Sequence, residues 1–321
     1  MFQIAIIGAG QLGSRHLQGL ARVLCACEIT VVDPSPASLA VAQQRFEEMP
    51  ANGAIRAVRY ATAIELLPVA LDYVIVATAA DVRLPVLKSL LAHCTVRFLL
   101  LEKVLFQGLD EYPEAEALLK AHGVPTWVNC PRRIFPLYQE VRAFFGGEPL
   151  QSLDVNGGNW GLGCNSIHFL DVFGMLTAEL PTVLTGADLD KNLIPSKRKN
   201  FMEFTGSLRG RFGAARFALT SGADSAAKIL VTIRSETRTC VIDEGGGLAF
   251  FWDGTRWEQR SFKLPFLSEL ATSVATDILT VGTCGLPTYD ISQAYHLPLL
   301  TVLGSHAAAA QGSPANHCPI T

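Results

Sequence analysis

An apolar run, Phe2 to Ile7, leads into Gly8-Ala9-Gly10-Gln11-Leu12-Gly13, and the next apolar run ends at an acidic residue, Asp33. Each glycine of this GxGxxG segment has a physical task. Gly8 permits a tight turn, Gly10 lets the backbone approach a pyrophosphate, and Gly13 lets the following helix pack closely on the strand. The amino end of that helix then offers free amides and the positive end of its dipole to phosphate. Asp33 is suited to accept hydrogen bonds from a ribose diol and to repel a 2'-phosphate, so the pattern predicts NAD in preference to NADP. A glycine turn that merely closes a βα unit, or one that holds a flavin or S-adenosylmethionine, would read similarly.

Hydride transfer further requires a group that exchanges the substrate hydroxyl proton and a cation or donor that steadies charge on the reacting oxygen. Glu102-Lys103 directly follows the apolar run Val96 to Leu101. In a doubly wound sheet this is the strand exit where ligands bind, so Lys103 is a candidate for the cation. A solvated lysine at a strand end is the plain alternative. Later, Gly157-Gly158-Asn159-Trp160-Gly161 opens a segment in which Asn165, His168 and Asp171 recur every third residue. That spacing places them along one helix face. His168 is a candidate proton carrier whose tautomer Asp171 could hold, against a reading of Asn165 as N-cap and His168 as a satisfied core histidine. Trp160 could stack on a sugar or simply anchor its loop. Arg132 and Arg133 could bind a carboxylate or phosphate, or could be surface charge.

The elements that must position these residues can be read from periodicity. Strands are expected at Phe2 to Ile7, Glu28 to Val32, Tyr73 to Ala77, Val96 to Leu101 and Thr126 to Val128, separated by helical patterns. This alternation predicts an α/β Rossmann domain, a doubly wound parallel sheet, over residues 1–128. After Cys130-Pro131 a helix, a strand near Leu153 and a helix from about Ser166 precede seven short candidate strands between Thr182 and Ser261. Residues 129–321 are therefore expected to form an α+β second domain with an open, mostly antiparallel sheet, two closing helices and a poorly ordered tail from Ala307.

Composition narrows the classes. The chain has 321 residues, 49% hydrophobic and 17% charged, with no apolar stretch of membrane-spanning length. Lys and Arg number 26 against 29 Asp and Glu, for a formal charge of -3, and with no block of like charge beyond Lys197-Arg198-Lys199 nothing suggests a nucleic-acid footprint. The eight cysteines show no zinc spacing, so no metal is expected. Reduced thiols and the lack of a signal peptide point to the cytoplasm. The oily composition predicts a homo-oligomer, with the sheet face between about residues 200 and 262 apolar enough to pair.

The combination Gly8-x-Gly10-x-x-Gly13-x-x-His16, a strand ending in Asp33, Ala77-Thr78, Glu102-Lys103 and a helix with His168-x-x-Asp171 resembles the Gfo/Idh/MocA family of oxidoreductases. The resemblance implies NAD(P)-dependent oxidation or reduction of a sugar or cyclitol hydroxyl. It implies Lys103 as the catalytic lysine and His168 as acid/base. Taken together, the residue readings predict cofactor contacts at Gly8, Gly10, Gln11, Leu12, Gly13, Asp33, Ala77, Thr78, Glu102 and Lys103, and substrate contacts at Arg132, Arg133, Trp160, Asn165 and Asp171. A homodimer or homotetramer through the second-domain sheet is implied as well.

Three positions depart from the family pattern. Val104 stands where proline usually follows the lysine, Thr78-Ala79-Ala80-Asp81-Val82-Arg83 lacks the usual histidine, and Cys164 replaces the aspartate four residues before His168. A non-catalytic NAD-binding regulatory or scaffold protein is thus an alternative, as is a redox-neutral enzyme that retains its NAD. The Asn129-to-Arg133, Gly157-to-Gly161 and Cys318-to-Thr321 stretches are similar to a branch associated with bacterial surface-polysaccharide and nonulosonate metabolism.

Overall fold

The computed structural model describes residues 1–312 and 314–321, which cluster into two compact units. The first unit comprises Met1–Phe106, Glu111–Asn129 and Pro265–Asp290. Its strands are β1 (Phe2–Ile7), β2 (Cys27–Val32), β3 (Ile55–Ala61), β4 (Ala70–Leu71), β5 (Tyr73–Val76), β6 (Thr95–Val96), β7 (Leu99–Leu101) and β8 (Thr126–Val128). The helices are α1 (Gln11–Leu20), α2 (Pro36–Glu47), α3 (Ala80–His93) and α4 (Glu111–His122). A parallel six-stranded sheet runs in the order β3-β2-β1-β5-β7-β8, and β4 pairs with β6 in a small ribbon. Every residue of β5 and β7 is buried, as expected of strands covered on both faces. The order reverses direction between β1 and β5, the place where such sheets bind ligands.

The sequence boundary at 128/129 does not separate the units. A later helix, α7 (Leu267–Val281), belongs to the first unit because its small residues fit closely on α1. A methyl group on Gly19 would come within 2.5 Å of the Ala271 Cβ, and the Thr272 hydroxyl donates to the Gly19 carbonyl at 2.6 Å. The chain after α7 then covers the sheet edge: Val128 donates to the Pro287 carbonyl at 2.9 Å, and Trp127 bridges to Thr288.

The second unit comprises Gln107–Asp110, Cys130–Leu264 and Ile291–Thr321. Its helices are α5 (Pro136–Phe145), α6 (Leu162–Thr177) and most of α8 (Tyr289–Gln311). Strands β9 (Leu150–Gly157), β10 (Pro181–Leu189), β13 (Gly206–Phe212), β14 (Ala215–Ser221), β15 (Leu230–Ser235), β16 (Thr239–Asp243), β17 (Leu248–Trp252) and β18 (Trp257–Ser261) form one sheet. Only the β9–β14 pair in it is parallel. A short hairpin, β11 (Ile194–Pro195) with β12 (Met202–Glu203), stands apart. Alternation along the strands places Leu153, Phe217, Ile233, Ile242 and Phe251 on the buried face. Phe144 of α5, Phe173 of α6 and Tyr295 of α8 pack on that face through Phe251, Phe217 and Phe212.

The other sheet face is only partly the apolar surface expected. Val241, Phe250, Trp252 and Trp257 make one end apolar, whereas Arg209, Arg211 and Arg216 stand exposed at the other. The expected strand 96–101 is divided, because Thr95–Val96 pairs with β4 while Leu99–Leu101 joins the main sheet. β12 ends at Glu203 and β13 begins at Gly206, whose φ of 91° no β-branched or bulky residue adopts easily. The segment from Ala307 is packed where a poorly ordered tail was expected. α8 continues to Gln311, and Cys318 and Ile320 are fully buried, held by Gln107, whose carbonyl accepts from Cys318 N and whose amide donates to the Ile320 carbonyl. No helix among the described residues is long and apolar enough to cross a membrane.

Candidate active site

At the carboxyl end of β1 the chain turns through Gly8, with φ of 96°. A methyl group there would meet the Ala77 carbonyl carbon at 2.9 Å, so the turn packs backbone against backbone. At Gly13 a methyl would lie 1.7 Å from the Gly8 carbonyl oxygen, whereas at Gly10 it would meet nothing within 4 Å. Open space at the middle glycine and crowding at the outer two make a cradle in which a phosphate can touch backbone. A cleft of about 510 Å³ opens beside it, lined in part by Gly8, Gly10, Asp33, Ala77 and Thr78. Gln11, Leu12, Gly13 and Lys103 lie outside its lining.

Asp33 closes β2 as expected and has an additional task. Its carboxylate accepts from Ala9 N at 2.7 Å and Ser35 N at 2.8 Å, fixing the loop while each oxygen keeps acceptor capacity for a ribose hydroxyl. Thr78 Oγ1 is buried with no hydrogen-bond partner among the described residues, and Thr78 borders the same cleft. An open cradle, a diol acceptor and an unsatisfied hydroxyl fit a dinucleotide. Arg45 of α2, which periodicity did not single out, donates to Ser14 Oγ at 2.5 Å and Gln11 Oε1 at 2.9 Å, bringing a cation to the start of α1.

Glu102, at the exit of β7, is buried and accepts from Asn129 Nδ2 at 2.7 Å, with His16 Nε2 also 2.7 Å away. Burial works to raise its pKa, but the hydrogen bond and charge of His16, the Asn129 amide and neighbouring Lys103 together hold the carboxyl below its ordinary range. Glu102 therefore ties α1, β7 and the chain after β8 together, one residue before Lys103. Lys103 itself is half-buried, and the Lys103–Val104 peptide is cis.

In the second unit α6 begins at Leu162, three residues before the expected Asn165 cap. Its N-cap is Gly161 with φ of 78°, and no side chain at that position caps the helix. Glu203 of β12 does so instead, its carboxylate accepting from Gly163 N at 2.8 Å and Cys164 N at 3.3 Å. A carboxylate at this end also opposes the helix dipole. Glu203→Ala is expected to lower unfolding stability by about 1–2 kcal/mol, a loss readable in urea melts.

Asn165 donates from Nδ2 to the Trp160 carbonyl at 2.8 Å, and Trp160 donates from Nε1 to the Thr220 carbonyl at 2.8 Å. Trp160 also meets Phe169 edge-on at 5.5 Å. These contacts anchor the glycine-rich approach to α6. His168, buried on the next turn, shares the helix with Asp171.

The two arginines are occupied by carboxylates. Arg132 forms a fork with Glu244, both distances 3.0 Å, lies over the Phe169 ring, and shares Glu244 with the Tyr138 hydroxyl. Arg133 Nε donates to Asp171 Oδ2 at 2.9 Å. Asp171 is nonetheless pushed up to about 7, because burial outweighs the charge and hydrogen bond of Arg133. The folded chain thus holds a proton that the unfolded chain, with its aspartate near 3.8, has released. From this residue, stability should fall as pH rises from about 4 to about 7 and level off above. Urea melts across that range should lose this slope in Asp171→Asn.

A parallel six-stranded sheet with a glycine turn at its switch point, together with a unit built on an open mixed sheet, is a fold this chain shares with solved oxidoreductases, one of them described as a Gfo/Idh/MocA family member. No protein-family model matches the sequence, and no curated protein sequence matches it. Solved structures share the fold at low identity. The UDP-N-acetylglucosamine 3-dehydrogenase GnnA from Acidithiobacillus ferrooxidans is 14% identical with a TM-score of 0.75, covering 97% of this chain and 99% of that one. An oxidoreductase from Agrobacterium radiobacter, solved with NAD+, L-tartaric acid and magnesium, is 16% identical with a TM-score of 0.74, covering 97% of each chain. A Gfo/Idh/MocA family oxidoreductase from Vibrio cholerae is 19% identical with a TM-score of 0.68, covering 94% of this chain and 96% of that one.

Proposed function

We propose that the chain is an NAD-dependent oxidoreductase acting on a hydroxyl or keto carbon of a sugar or sugar derivative. The observation that carries this reading is the cradle of Gly8, Gly10 and Gly13 with Asp33 beside it and Lys103 at a nearby strand exit of the same sheet. A bound nicotinamide dinucleotide supplies the hydride acceptor or donor. Gly8, Gly10 and Gly13 shape its phosphate site, with Gln11 and Leu12 at the helix start; Asp33 favours the ribose diol of NAD over a 2'-phosphate; Ala77 and Thr78 border the cleft.

Lys103 steadies the reacting oxygen as it gains or loses its proton, and His168 carries that proton. Glu102 is the buried anchor of Lys103. Trp160 and Asn165 shape the approach to α6, and Arg132, Arg133 and Asp171 hold that side of the unit through their ion pairs while offering remaining donors to an anionic substrate. In oxidation, the carbinol carbon gives a hydride to the nicotinamide and its hydroxyl gives a proton to the protein. A nucleotide-linked or carboxylated sugar is the preferred substrate class, in line with the activity in the name of one structural neighbour. Surface-polysaccharide or nonulosonate metabolism is the proposed setting. The cytoplasm is the proposed compartment, on the reading of the eight scattered cysteines as reduced thiols.

A panel of hexoses, sugar acids and nucleotide sugars, followed with NAD+ and NADP+ at 340 nm and by product mass, tests the assignment. Oxidation of one sugar with NAD+ preferred supports it, and no change in any sugar with either cofactor counts against it. Cys164 in place of the family's aspartate specifically favours the second reading, a nucleotide-binding protein without turnover. A redox-neutral enzyme would change the sugar without accumulating NADH. The proposed assembly is a homodimer or homotetramer through the apolar end of the second sheet, around Phe250, Trp252 and Trp257. Light scattering at micromolar concentration should give a mass of at least two chains, and a monomer would contradict this.

A further inference from the structure

Arg83 stands in the first turn of α3 with 1% of its surface exposed. Its guanidinium donates to the main-chain carbonyls of Thr78, Val104 and Leu105, the last at 2.6 Å. Thr78 borders the dinucleotide cleft, and Val104 and Leu105 immediately follow Lys103. Arg83 thus fastens two adjacent strand exits, those of β5 and β7, to one rigid group.

The energetics argue that this arrangement serves geometry. Taking a guanidinium out of water costs several kcal/mol, and neutral carbonyls recover less of that than a carboxylate would. A methionine would fill much of the same volume without the cost. What an apolar side chain lacks is a fork of N–H groups in fixed directions that can hold several carbonyl oxygens at once.

We propose that Arg83 is a positioning residue that sets the turn carrying Lys103 relative to the Thr78 border of the cleft. The assignment rests on the reading of Lys103 as the group beside the reacting oxygen. Loss of the fork lets the 103–105 turn sample other conformations, so the Lys103 ammonium changes its surroundings while the cradle around Gly8 to Gly13 keeps its own.

The test uses the full chain with saturating NAD+, comparing wild type, Arg83→Met and Arg83→Lys. Acetic anhydride acylation of Lys103 is followed across pH by peptide mass spectrometry, with exposed Lys197 as internal reference. The expected result is a displaced pH profile and a rate altered roughly tenfold at Lys103, with the Lys197 profile unchanged and NADH affinity retained. If Arg83→Met does not fold, Arg83→Lys, which keeps the buried charge but lacks the fork, carries the comparison. A Lys103 profile superimposable on wild type in either folded variant overturns the proposal. Failure of both to fold also overturns it, by making Arg83 a requirement of the fold and not of the turn. A displaced Lys103 profile together with full turnover in Lys103→Ala would uphold the positioning of the turn and sink the catalytic reading of the lysine, so the two failures are separable.

Discussion

Gly13→Ala should weaken dinucleotide binding more than any other single change in the glycine turn. The added methyl would lie 1.7 Å from the Gly8 carbonyl oxygen and 2.8 Å from its carbon, both backbone atoms that no side-chain rotation can relieve. Either α1 moves off β1 or the Gly8 turn opens, and both outcomes dismantle the phosphate cradle. Overpacking of this kind costs about 1–3 kcal/mol in stability. Loss of the aligned amides should weaken NADH binding by about a hundredfold or more, on the order of 3 kcal/mol. Gly10→Ala is the informative companion. Its methyl meets nothing within 4 Å, so the melting temperature should stay at the wild-type value while NADH affinity falls, as the proposed phosphate site there requires. NADH fluorescence titrations beside thermal melts separate the two effects. Unchanged affinity in Gly10→Ala would mean that no phosphate approaches there.

Lys103→Ala should reduce kcat by about a hundredfold to ten-thousandfold, the usual contribution of a group that moves a proton or steadies charge on the reacting oxygen. NADH affinity should change little, since Lys103 lies outside the lining of the dinucleotide cleft. Lys103→Arg should not restore the rate, because a guanidinium does not release its proton in the working pH range and has a different shape. Steady-state kinetics on whichever sugar the panel identifies would give the kcat and KM effects separately. A fall in kcat at constant NADH affinity supports the role, and full activity in the variant removes it.

Much of this site was legible because its signals are local. β1 spans Phe2–Ile7 and β8 spans Thr126–Val128, as the apolar runs indicated, and the phosphate loop lies between a strand and a helix as its spacing required. Asp33 follows the next strand as the pattern indicated, and its carboxylate anchors the loop through Ala9 N and Ser35 N. The unread contacts join residues far apart in sequence. Glu203 caps a helix some 40 residues earlier, Asn129 reaches Glu102 across 27, and Arg83 reaches Leu105 across 22. No periodicity carries such information. β3 was missed because its residues, Ile55 to Ala61, are interspersed with Arg56 and Arg59 and none is fully buried. Arg132 and Arg133 looked like free anion binders only because Glu244 and Asp171 lie 112 and 38 residues further along the chain.

Hydride transfer itself is the most direct measurement of the proposed activity, and it can be read whether or not NADH accumulates. The wild-type chain, incubated with NADH carrying deuterium at nicotinamide C4 and with keto forms of the sugar panel, is analysed by mass spectrometry and NMR of the recovered sugars. The expected result is one deuterium on a ring carbon of at least one sugar, with transfer slowed in Lys103→Ala. A chain that binds NADH yet leaves every sugar in the panel free of deuterium would contradict the assignment.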